Sequence, residues 1–349
     1  MSETRPSTMQ AFRIPELGAA PVWAEAPVPS PAPHEVLVKM LAAGICRTDL
    51  EIMDHRVHFG LPWNGAFTLG HENVGKVVAA GSEVKRLAVG ENVVIMAGSP
   101  CGECRNCLRG NDNYCSDRVH QYGTRDDGGL APYMVARERD AFSIGGLDPM
   151  KAAPLGDAGA TAYGTVNHVL PAVADDGFVV VIGAGGVGAF ALQLLRLKTT
   201  ATVIAVDLPD RLGFARERGA HVIIPSDENT AAAINELTKG AGVDAVLDFV
   251  GNDATLGLSA KVTRELGRVA LVGTAGGSVP FSFSSSRHGV SFMVGISASM
   301  AEVVELLNIA ERGLITVDAV PYAFNDLERA YEDLRQGKVV GRAVLSFDE

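Results

Sequence analysis

Four of the five cysteines in this 349-residue chain lie within fifteen residues of one another. They form two C-x-x-C steps and a fourth thiol after seven intervening residues: Cys101, Cys104, Cys107 and Cys115. This spacing lets one short lobe present four sulfurs tetrahedrally, which is how proteins hold structural zinc. A disulfide framework is the competing interpretation. It is disfavoured because a chain of this length without a signal peptide is expected in the cytoplasm, where thiols stay reduced.

The remaining cysteine belongs to a second, dispersed set of metal-ligand residue types. Cys46 lies in AAGICRTDL, His71 and Glu72 lie in LGHENVGKV, and Asp157 lies in APLGDAGATAYG. Taken singly, a lone cysteine is more often a small core residue, and a His-Glu pair is more often a hydrogen-bonded pair. Together, one thiolate, one imidazole and one carboxylate leave zinc a fourth, open position for water or substrate. The set therefore predicts a catalytic zinc site.

A glycine-rich motif lies between the apolar run FVVVI and a helical run; its residues include Gly183, Gly185, Gly186, Val187 and Gly188. Such a turn admits a dinucleotide pyrophosphate to the backbone and to the N–H groups of a helix N-terminus. Asp207 ends the next strand, about 20 residues on, where a carboxylate can bind the ribose hydroxyls of NAD and repel a 2′-phosphate. An ordinary strand-to-helix turn is the alternative, and the nearby Arg211 keeps NADP use open.

The composition narrows the classes of partner. Thirty Lys and Arg residues against 41 Asp and Glu residues give a net charge of −11, without a block of basic residues. A nucleic-acid or anionic-membrane surface is therefore disfavoured. No apolar run reaches the roughly 18 residues that spanning a bilayer demands. We expect a small-molecule substrate, and neither nucleic acid nor membrane as a partner.

The elements that must position these residues change character along the chain. Up to about residue 135, short apolar runs bounded by Gly and Pro predict a mainly β region with strands at 35–41, 75–80 and 92–96. From residue 178 onward, strands alternate with helices, which predicts right-handed crossovers and a parallel doubly wound sheet. One of these helices is predicted to end near Leu266. After residue 297 the pattern predicts helices at 302–311 and 327–335, and a closing strand, RAVLSF, that returns to the first sheet.

The order of GICRTD, GHE, the four-cysteine lobe, the GxGGxG turn and the returning tail resembles the zinc-dependent medium-chain alcohol dehydrogenases over essentially the whole chain. PLGDAGATAY is similar to the corresponding segment of bacterial secondary-alcohol enzymes. The resemblance implies an α/β protein with a GroES-like, mainly β catalytic domain at 1–169 and 298–349. It also implies a Rossmann domain with a six-stranded parallel sheet at 170–297. Relatives of this kind are homotetramers or dimers, so it implies a homo-oligomer.

The resemblance also implies roles for individual residues. Cys46, His71 and Asp157 match the ligands of the catalytic zinc, and the four clustered cysteines match the ligands of a structural zinc, giving two zinc ions per chain. Glu72 matches a glutamate near the metal, Asp49 a carboxylate that orients the histidine ligand, and Thr48 a hydroxyl that binds the substrate oxygen and passes its proton onward. Two positions depart from the commonest pattern: Asp157 stands where many relatives have cysteine, and Glu51 stands where a histidine can complete proton delivery.

The remaining expectations concern the cofactor and the substrate pocket. Arg47 and Arg342 resemble residues that meet the pyrophosphate, although surface arginines are common. The backbone at Val250, Gly251, Val272, Gly273 and Thr274 is expected near the nicotinamide. His55, His58, Phe59 and Trp63 could line a substrate pocket, or pack in the core or against a subunit.

The implied activity is NAD-linked interconversion of an alcohol, secondary or aromatic, and its ketone or aldehyde, by hydride transfer from a zinc-bound alkoxide. One alternative is a zinc-free quinone or enoyl reductase of the same superfamily, which generally lacks both metal sites. Another is a non-catalytic nucleotide-binding protein, in which Cys46, His71 or Thr48 would be missing. The apolar segment VSFMVGIS fits a subunit interface at a sheet edge, or a fully paired internal strand.

Overall fold

The computed structural model describes residues 5–16, 18–54 and 65–347. The chain divides into two units, of which the first runs to Asp157 and resumes at Ser299, and the second contains the segment from Ala158 to Ala298. The functional domain boundaries expected from the sequence stay a prediction. Among the described residues, none of the helices combines the length and the apolar character that crossing a membrane requires.

Eighteen strands lie within the described residues. In chain order they are β1 Thr8–Ile14, β2 Val22–Pro27, β3 Glu35–Ile45, β4 Phe67–Thr68, β5 Glu72–Ala80, β6 Asn92–Ile95, β7 Gly98–Ser99, β8 His120–Gln121, β9 Tyr133–Arg137, β10 Ala141–Ser143, β11 Phe178–Ile182, β12 Thr202–Asp207, β13 Val222–Pro225, β14 Val243–Asp248, β15 Thr263–Leu271, β16 Ser291–Val294, β17 Ala319–Ala323 and β18 Arg342–Ser346.

Ten α-helices lie in the same part of the chain. They are α1 Arg47–Met53, α2 Arg105–Leu108, α3 Pro149–Ala152, α4 Ala158–Val169, α5 Gly188–Lys198, α6 Leu212–Glu217, α7 Thr230–Leu237, α8 Asp253–Val262, α9 Met300–Glu311 and α10 Leu327–Arg335. Short 3₁₀ turns lie at Asp112–Tyr114, Glu138–Asp140, Ala153–Gly156, Leu170–Ala172, Pro209–Arg211 and Phe324–Asp326.

The first unit is built on a seven-stranded sheet in the order β10-β6-β5-β3-β18-β17, with β9 also paired to β3. The closing strand β18 pairs antiparallel with β3, so the predicted return of the tail to the first sheet is confirmed. The apolar faces of these strands pack with α10 into one hydrophobic core. This core includes Val36 and Val38 of β3 and Leu327 and Tyr331 of α10. The central strand β3 thus has β5 on one side and β18 on the other. Side chains of β5 and β18 can therefore meet across the face of β3.

The second unit is a six-stranded parallel sheet in the order β13-β12-β11-β14-β15-β16, as predicted. Its central strands read as continuous runs of Val, Ile and Ala because helices cover both faces of such a sheet. Strand β14, for example, is buried along its whole length. The chain order reverses between β11 and β14, and in open parallel sheets this switch point forms the ligand crevice at the carboxyl ends of the strands.

One predicted boundary is wrong. The helix expected to end near Leu266 ends at Val262, and β15 begins at the next residue. Thr263 has an extended backbone, with φ of −71° and ψ of 133°, and Leu266 has φ of +63°, in the left-handed region that a helix excludes. Apolar spacing alone does not reveal this, because the helix and the strand that follows it are both half-buried.

Candidate metal centres and dinucleotide site

Three elements of the first unit bring the dispersed ligand set together. Cys46 follows β3 and caps α1, with its sulfur 3.4 Å from the Thr48 backbone N–H. His71 directly precedes β5, and Asp157 directly follows the 3₁₀ turn at Ala153–Gly156. The cap requires a residue whose side chain can accept a hydrogen bond, and Cys46 meets this need with its sulfur. The local fold therefore fixes the direction in which Cys46 points.

The ligand atoms of Cys46, His71 and Asp157 all lie within 4.8 Å of one another. Asp157 Oδ2 is 3.9 Å from Cys46 Sγ and 3.5 Å from His71 Nε2. Tetrahedral zinc with bonds of about 2.0 to 2.3 Å separates such ligand atoms by roughly 3.3 to 3.5 Å, close to these distances. Cys46 and His71 are buried, whereas the Asp157 side chain is 23% exposed. The donor set therefore fits zinc, with solvent access on the side of Asp157.

Asp49 contacts two of the three candidate ligands, Cys46 and His71. Its Oδ2 accepts from the Cys46 backbone N–H at 3.0 Å, and its Oδ1 lies 3.0 Å from His71 Nδ1. Burial alone lowers the pKa of His71, but the carboxylate of Asp49 and the sulfur of Cys46 outweigh it and raise that pKa well above its usual value. This contact directs Nε2 of His71 toward the other two ligands, as a carboxylate behind a metal-bound histidine does. Asp49 itself is fully buried.

A buried ion pair lies beside the ligands. Arg342 on β18 donates from Nε to Glu72 Oε2 at 2.9 Å and from Nη2 to Glu72 Oε1, and Nη2 is also 3.7 Å from Asp157 Oδ2. Glu72 lies on β5, so the pair crosses over β3, and it does so at Gly44, which is paired with Glu72 in the sheet register. A Cβ atom at Gly44 would lie 2.8 Å from Glu72 Cβ and closer still to Oε2. The pair exists because position 44 has no side chain.

Sequence reasoning missed the part that Gly44 plays and the ion pair of Arg342 with Glu72. Arg342 is expected from the sequence to meet a pyrophosphate. The residue is only 7% exposed and its guanidinium is bonded to Glu72, and the pyrophosphate contact stays a prediction. Sequence reasoning also missed Tyr331 of α10. Burial and the nearby Asp49 carboxylate raise the pKa of the Tyr331 hydroxyl well above its usual value. No motif marks Tyr331, because it reaches Asp49 from a distant part of the chain.

The other residues expected near the ligands differ in exposure. Thr48, in the first turn of α1, is half-buried, and Arg47 beside it is exposed. Glu51, one turn further along the helix, is only 4% exposed. The four residues expected to line a substrate pocket, His55, His58, Phe59 and Trp63, lie outside the described residues.

The structure brings the sulfurs of the four clustered cysteines within 4.8 Å of one another. Their sulfurs are separated by 3.9 Å between Cys101 and Cys107, 3.5 Å between Cys104 and Cys107, 3.9 Å between Cys104 and Cys115, and 3.6 Å between Cys115 and Cys101. A tetrahedral zinc with four bonds of about 2.3 Å would hold its sulfurs about 3.8 Å apart. The distances exceed a disulfide bond of about 2.05 Å, so the disulfide alternative does not describe this lobe.

The electrostatics of the lobe also fit a cation. Backbone N–H groups of Cys107 and Ser116 lower the pKa of the Cys104 thiol to about 5. Burial raises the pKa of the Cys107 thiol to about 12 and raises that of Cys115. Four thiolates at these distances repel one another, so all four ionise together only around a metal ion.

The second unit forms the glycine turn. Gly183 directly follows β11 and has φ of +83°, which favours glycine. A Cβ atom at Gly188 would lie 3.0 Å from the carbonyl carbon of Gly183 and closer to its oxygen, so glycine permits the close return of α5 onto the strand. A Cβ atom at Gly185 would meet only Arg211 Nη1, at 3.8 Å. The turn therefore leaves open space above Gly185 at the N-terminus of α5, where a phosphate group fits.

Asp207, at the end of β12, is fixed beside this turn. Its Oδ2 accepts from the Ala184 backbone N–H at 2.6 Å, and its Oδ1 accepts from the Leu208 backbone N–H at 2.7 Å. The carboxylate is half-buried, so it can receive further donors from a ligand. The residues expected near a nicotinamide, Val250, Val272, Gly273 and Thr274, follow β14 and β15 at the same edge of the sheet.

The second unit is a parallel sheet with a glycine-rich turn after β11, and the first unit carries two groups of candidate metal ligands. This combination is typical of the zinc-type dehydrogenases. Residues 32–146 match the family described as alcohol dehydrogenase GroES-like domain, and residues 186–312 match the family described as zinc-binding dehydrogenase. The chain therefore belongs to the alcohol dehydrogenases of the medium-chain dehydrogenase/reductase superfamily, and it is an oxidoreductase of the NAD(P)-dependent, alcohol dehydrogenase-like type.

Individual relatives extend this result. The chain is 31% identical to an NAD-dependent alcohol dehydrogenase of Sulfolobus acidocaldarius, covering 97% of this chain and 99% of the relative. It is 30% identical to a D-arabinose 1-dehydrogenase (NADP(+)) of Saccharolobus solfataricus, covering 91% and 92%. Among solved structures, it is similar to the alcohol dehydrogenase of Aeropyrum pernix, with a TM-score of 0.89, 31% identity, and coverage of 97% and 99%.

Proposed function

We propose that this chain is a zinc-dependent, NAD-linked alcohol dehydrogenase that interconverts an alcohol, secondary or aromatic, with its ketone or aldehyde. The observation that carries the proposal is the convergence of Cys46, His71 and Asp157 within 4.8 Å, with Asp49 against the outer nitrogen of the histidine. Three protein ligands leave zinc one position for substrate, which distinguishes a catalytic site from a structural one.

The chemistry divides between the bound groups and the protein. Zinc supplies Lewis acidity that favours loss of the alcohol proton, and NAD accepts the hydride. The Thr48 hydroxyl, two residues after Cys46, receives the alcohol proton. Glu51 lies three residues further on the same helix and therefore on the same side of it, so it is our candidate for passing the proton onward.

The same donor chemistry supports two zinc ions per chain, one at the dispersed set and one at the four-cysteine lobe. Both ligand sets are complete, which argues against a zinc-free quinone or enoyl reductase and against a non-catalytic relative. Asp207 supports NAD over NADP, because its carboxylate would repel a 2′-phosphate.

The test is a spectrophotometric assay of NADH formation with primary, secondary and aromatic alcohols, combined with measured zinc content. We expect Cys46→Ser to abolish hydride transfer while the four-cysteine lobe keeps its zinc. The matched control is Cys104→Ser, which changes the same residue type in the lobe and should lose zinc there while retaining the catalytic ligands. Undiminished turnover by Cys46→Ser would refute the metal assignment.

A sugar substrate is the second candidate, because one relative is named a D-arabinose 1-dehydrogenase that uses NADP(+). The same assay with D-arabinose and either nucleotide decides between the two. Faster turnover of D-arabinose with NADP than of any alcohol with NAD would replace the proposed substrate and cofactor.

The proposal includes a homo-oligomer. Strand β16 lies at the end of the six-stranded sheet, and Leu266, Phe281, Phe283 and Val294 near this edge are 67% to 90% exposed. The same edge of a second copy can pair with it around a twofold axis and bury these side chains. Light scattering coupled to gel filtration tests this, and a Val294→Lys variant should shift the mass toward the monomer.

A further inference from the structure

One buried aspartate forms hydrogen bonds with both of the chain segments that follow β14 and β15. Asp248 is the last residue of β14 and is fully buried. In the sheet it pairs with Ile182 of β11 on one side and with Leu271 of β15 on the other. It therefore lies at the carboxyl edge of the sheet, next to the switch point where a dinucleotide binds.

Asp248 accepts four backbone hydrogen bonds. Its side-chain Oδ1 accepts from the N–H groups of Val250 and Gly251, both at 2.9 Å. Its carbonyl oxygen accepts from the N–H groups of Val272 and Gly273, at 2.8 and 3.0 Å. The side chain thus fixes the segment after its own strand, and the main chain fixes the segment after the neighbouring strand.

The two segments are in direct contact at glycines. A Cβ atom at Gly273 would lie 2.5 Å from the Val250 backbone nitrogen and closer still to its carbonyl group. Gly251 has φ of +74°, which favours glycine. The carbonyl of Gly251 also accepts from Gly277 N–H at 2.9 Å. The spacing of the segments therefore depends on glycine at these positions as well as on the hydrogen bonds of Asp248.

We propose that Asp248 is a positioning residue for the nicotinamide half of the dinucleotide site. The inference rests on the proposed NAD-linked function. All four of its hydrogen-bond partners, Val250, Gly251, Val272 and Gly273, are residues whose backbone is expected beside the nicotinamide. Asp207 lies at the end of β12, two strands away, so the adenosine half does not depend on Asp248.

The structure predicts opposite outcomes for two substitutions at this position. Asp248→Asn keeps the accepting oxygen, and Oδ2, which the amide nitrogen would replace, has no hydrogen-bond partner among the described residues. Asp248→Ala removes both side-chain hydrogen bonds. Gly273→Ala disturbs the same contact independently, by forcing the segment away from Val250. A matched control is Asp244→Ala, at the opposite end of β14, where the carboxylate accepts from Phe178 N–H at 2.7 Å and from Arg264.

The experiment measures dissociation constants for NADH and for AMP, which lacks the nicotinamide half, by calorimetry on the zinc-loaded protein. We expect Asp248→Ala and Gly273→Ala to weaken NADH at least tenfold and to leave AMP within twofold of wild type. Asp248→Asn should stay within threefold for both ligands, and Asp244→Ala should alter neither.

Several results would overturn the inference. Equal weakening of NADH and AMP would show a general structural role, and an unchanged NADH affinity in Asp248→Ala would show no role. If Asp248→Ala does not fold, Gly273→Ala alone decides between the same outcomes. A wild-type protein that binds neither nucleotide would refute the proposed function and this inference together, whereas wild-type NADH binding without the variant effects refutes only the inference.

Discussion

The Glu72–Arg342 ion pair can be disturbed without changing any charge, by adding one methyl group at Gly44. The added Cβ would lie 2.8 Å from Glu72 Cβ and 2.9 Å from Glu72 Cδ, where ordinary van der Waals contact begins at 3.4 Å. The Glu72 side chain belongs to β5, which is paired with β3 at this position, so it cannot withdraw as a whole. Its carboxylate must therefore rotate away from Arg342, or the strands must separate.

The cost follows from the burial of the pair. Glu72 is fully buried and Arg342 is 7% exposed, so a broken pair leaves two charges without full solvation. Breaking a buried ion pair costs about 3 to 5 kcal/mol. In a unit of about 200 residues, where 1 kcal/mol shifts the melting temperature by roughly 2 to 4 °C, Gly44→Ala should lower it by roughly 6 to 20 °C.

The assay is thermal unfolding followed by circular dichroism, with zinc content measured on the same samples. Gly257→Ala is the matched control, because a Cβ atom at Gly257, in helix α8, meets nothing within 4 Å. We expect the control to unfold at the wild-type temperature or up to about 4 °C above it, since alanine is favoured over glycine in a helix by about 1 kcal/mol. If Gly44→Ala has the same melting temperature as the control, a side chain at position 44 does not displace the Glu72 carboxylate from Arg342.

A double variant separates the ion pair from simple crowding. Glu72→Gln removes the charge and weakens the pair by itself. If Gly44→Ala acts through the same pair, the two changes should cost clearly less together than the sum of their separate costs, because contacting residues are not additive. Additive costs would show that the methyl group destabilises β3 by crowding its neighbours, independently of Arg342.

Three further predictions concern individual carboxylates. Asp49→Asn should weaken zinc binding about 10- to 100-fold, measured by competition with a chelator, because the partner of His71 Nδ1 is altered. Burial raises the pKa of Asp140 to about 6, so the stability contributed by its neutral form is complete below pH of about 4 and is lost as the pH rises through 6. Relative to Asp140→Asn, wild type should therefore lose about 2 kcal/mol of unfolding free energy between pH 4 and 7 in denaturant titrations, and parallel curves would contradict this. Asp207→Gly should lower kcat/KM with NAD about 10- to 100-fold and raise the relative use of NADP; an unchanged cofactor ratio would show that Asp207 does not select the nucleotide.

The sequence predicted the parts of the fold that depend on local pattern. The parallel sheet follows from buried strands separated by helices, and the four-cysteine lobe follows from residues within one short segment. The closing strand is confirmed as well. It could be predicted because an apolar strand with no helix after it can bury its side chains and pair its backbone only by joining an existing sheet. Asp157 was expected as a ligand through resemblance, and the structure brings it to Cys46 and His71, 111 residues away from the former.

The sequence did not reveal contacts that depend on distant chain segments meeting. Gly44 appears as an ordinary glycine in AAGICRTDL, and only the register of β3 with β5 and β18 shows that a side chain there would meet Glu72. Arg342 is 270 residues from Glu72 along the chain, so no spacing rule links them. The contacts of Asp248 could not be predicted from the sequence either. Two of its four hydrogen bonds are accepted by its main-chain oxygen, which every residue type has.

The ion pair also bears on how a carboxylate could serve as the third ligand of the proposed zinc site. Asp157 Oδ2 faces Cys46 Sγ and His71 Nε2, yet the same oxygen lies 3.7 Å from Arg342 Nη2. A guanidinium forms strong, charge-assisted hydrogen bonds with a carboxylate, so at this position it would compete with a metal ion for Asp157. Glu72 occupies two nitrogens of Arg342 and neutralises its charge, which leaves Asp157 Oδ2 available to a cation. A site with aspartate in this place therefore depends on Glu72, and through it on the absence of a side chain at Gly44.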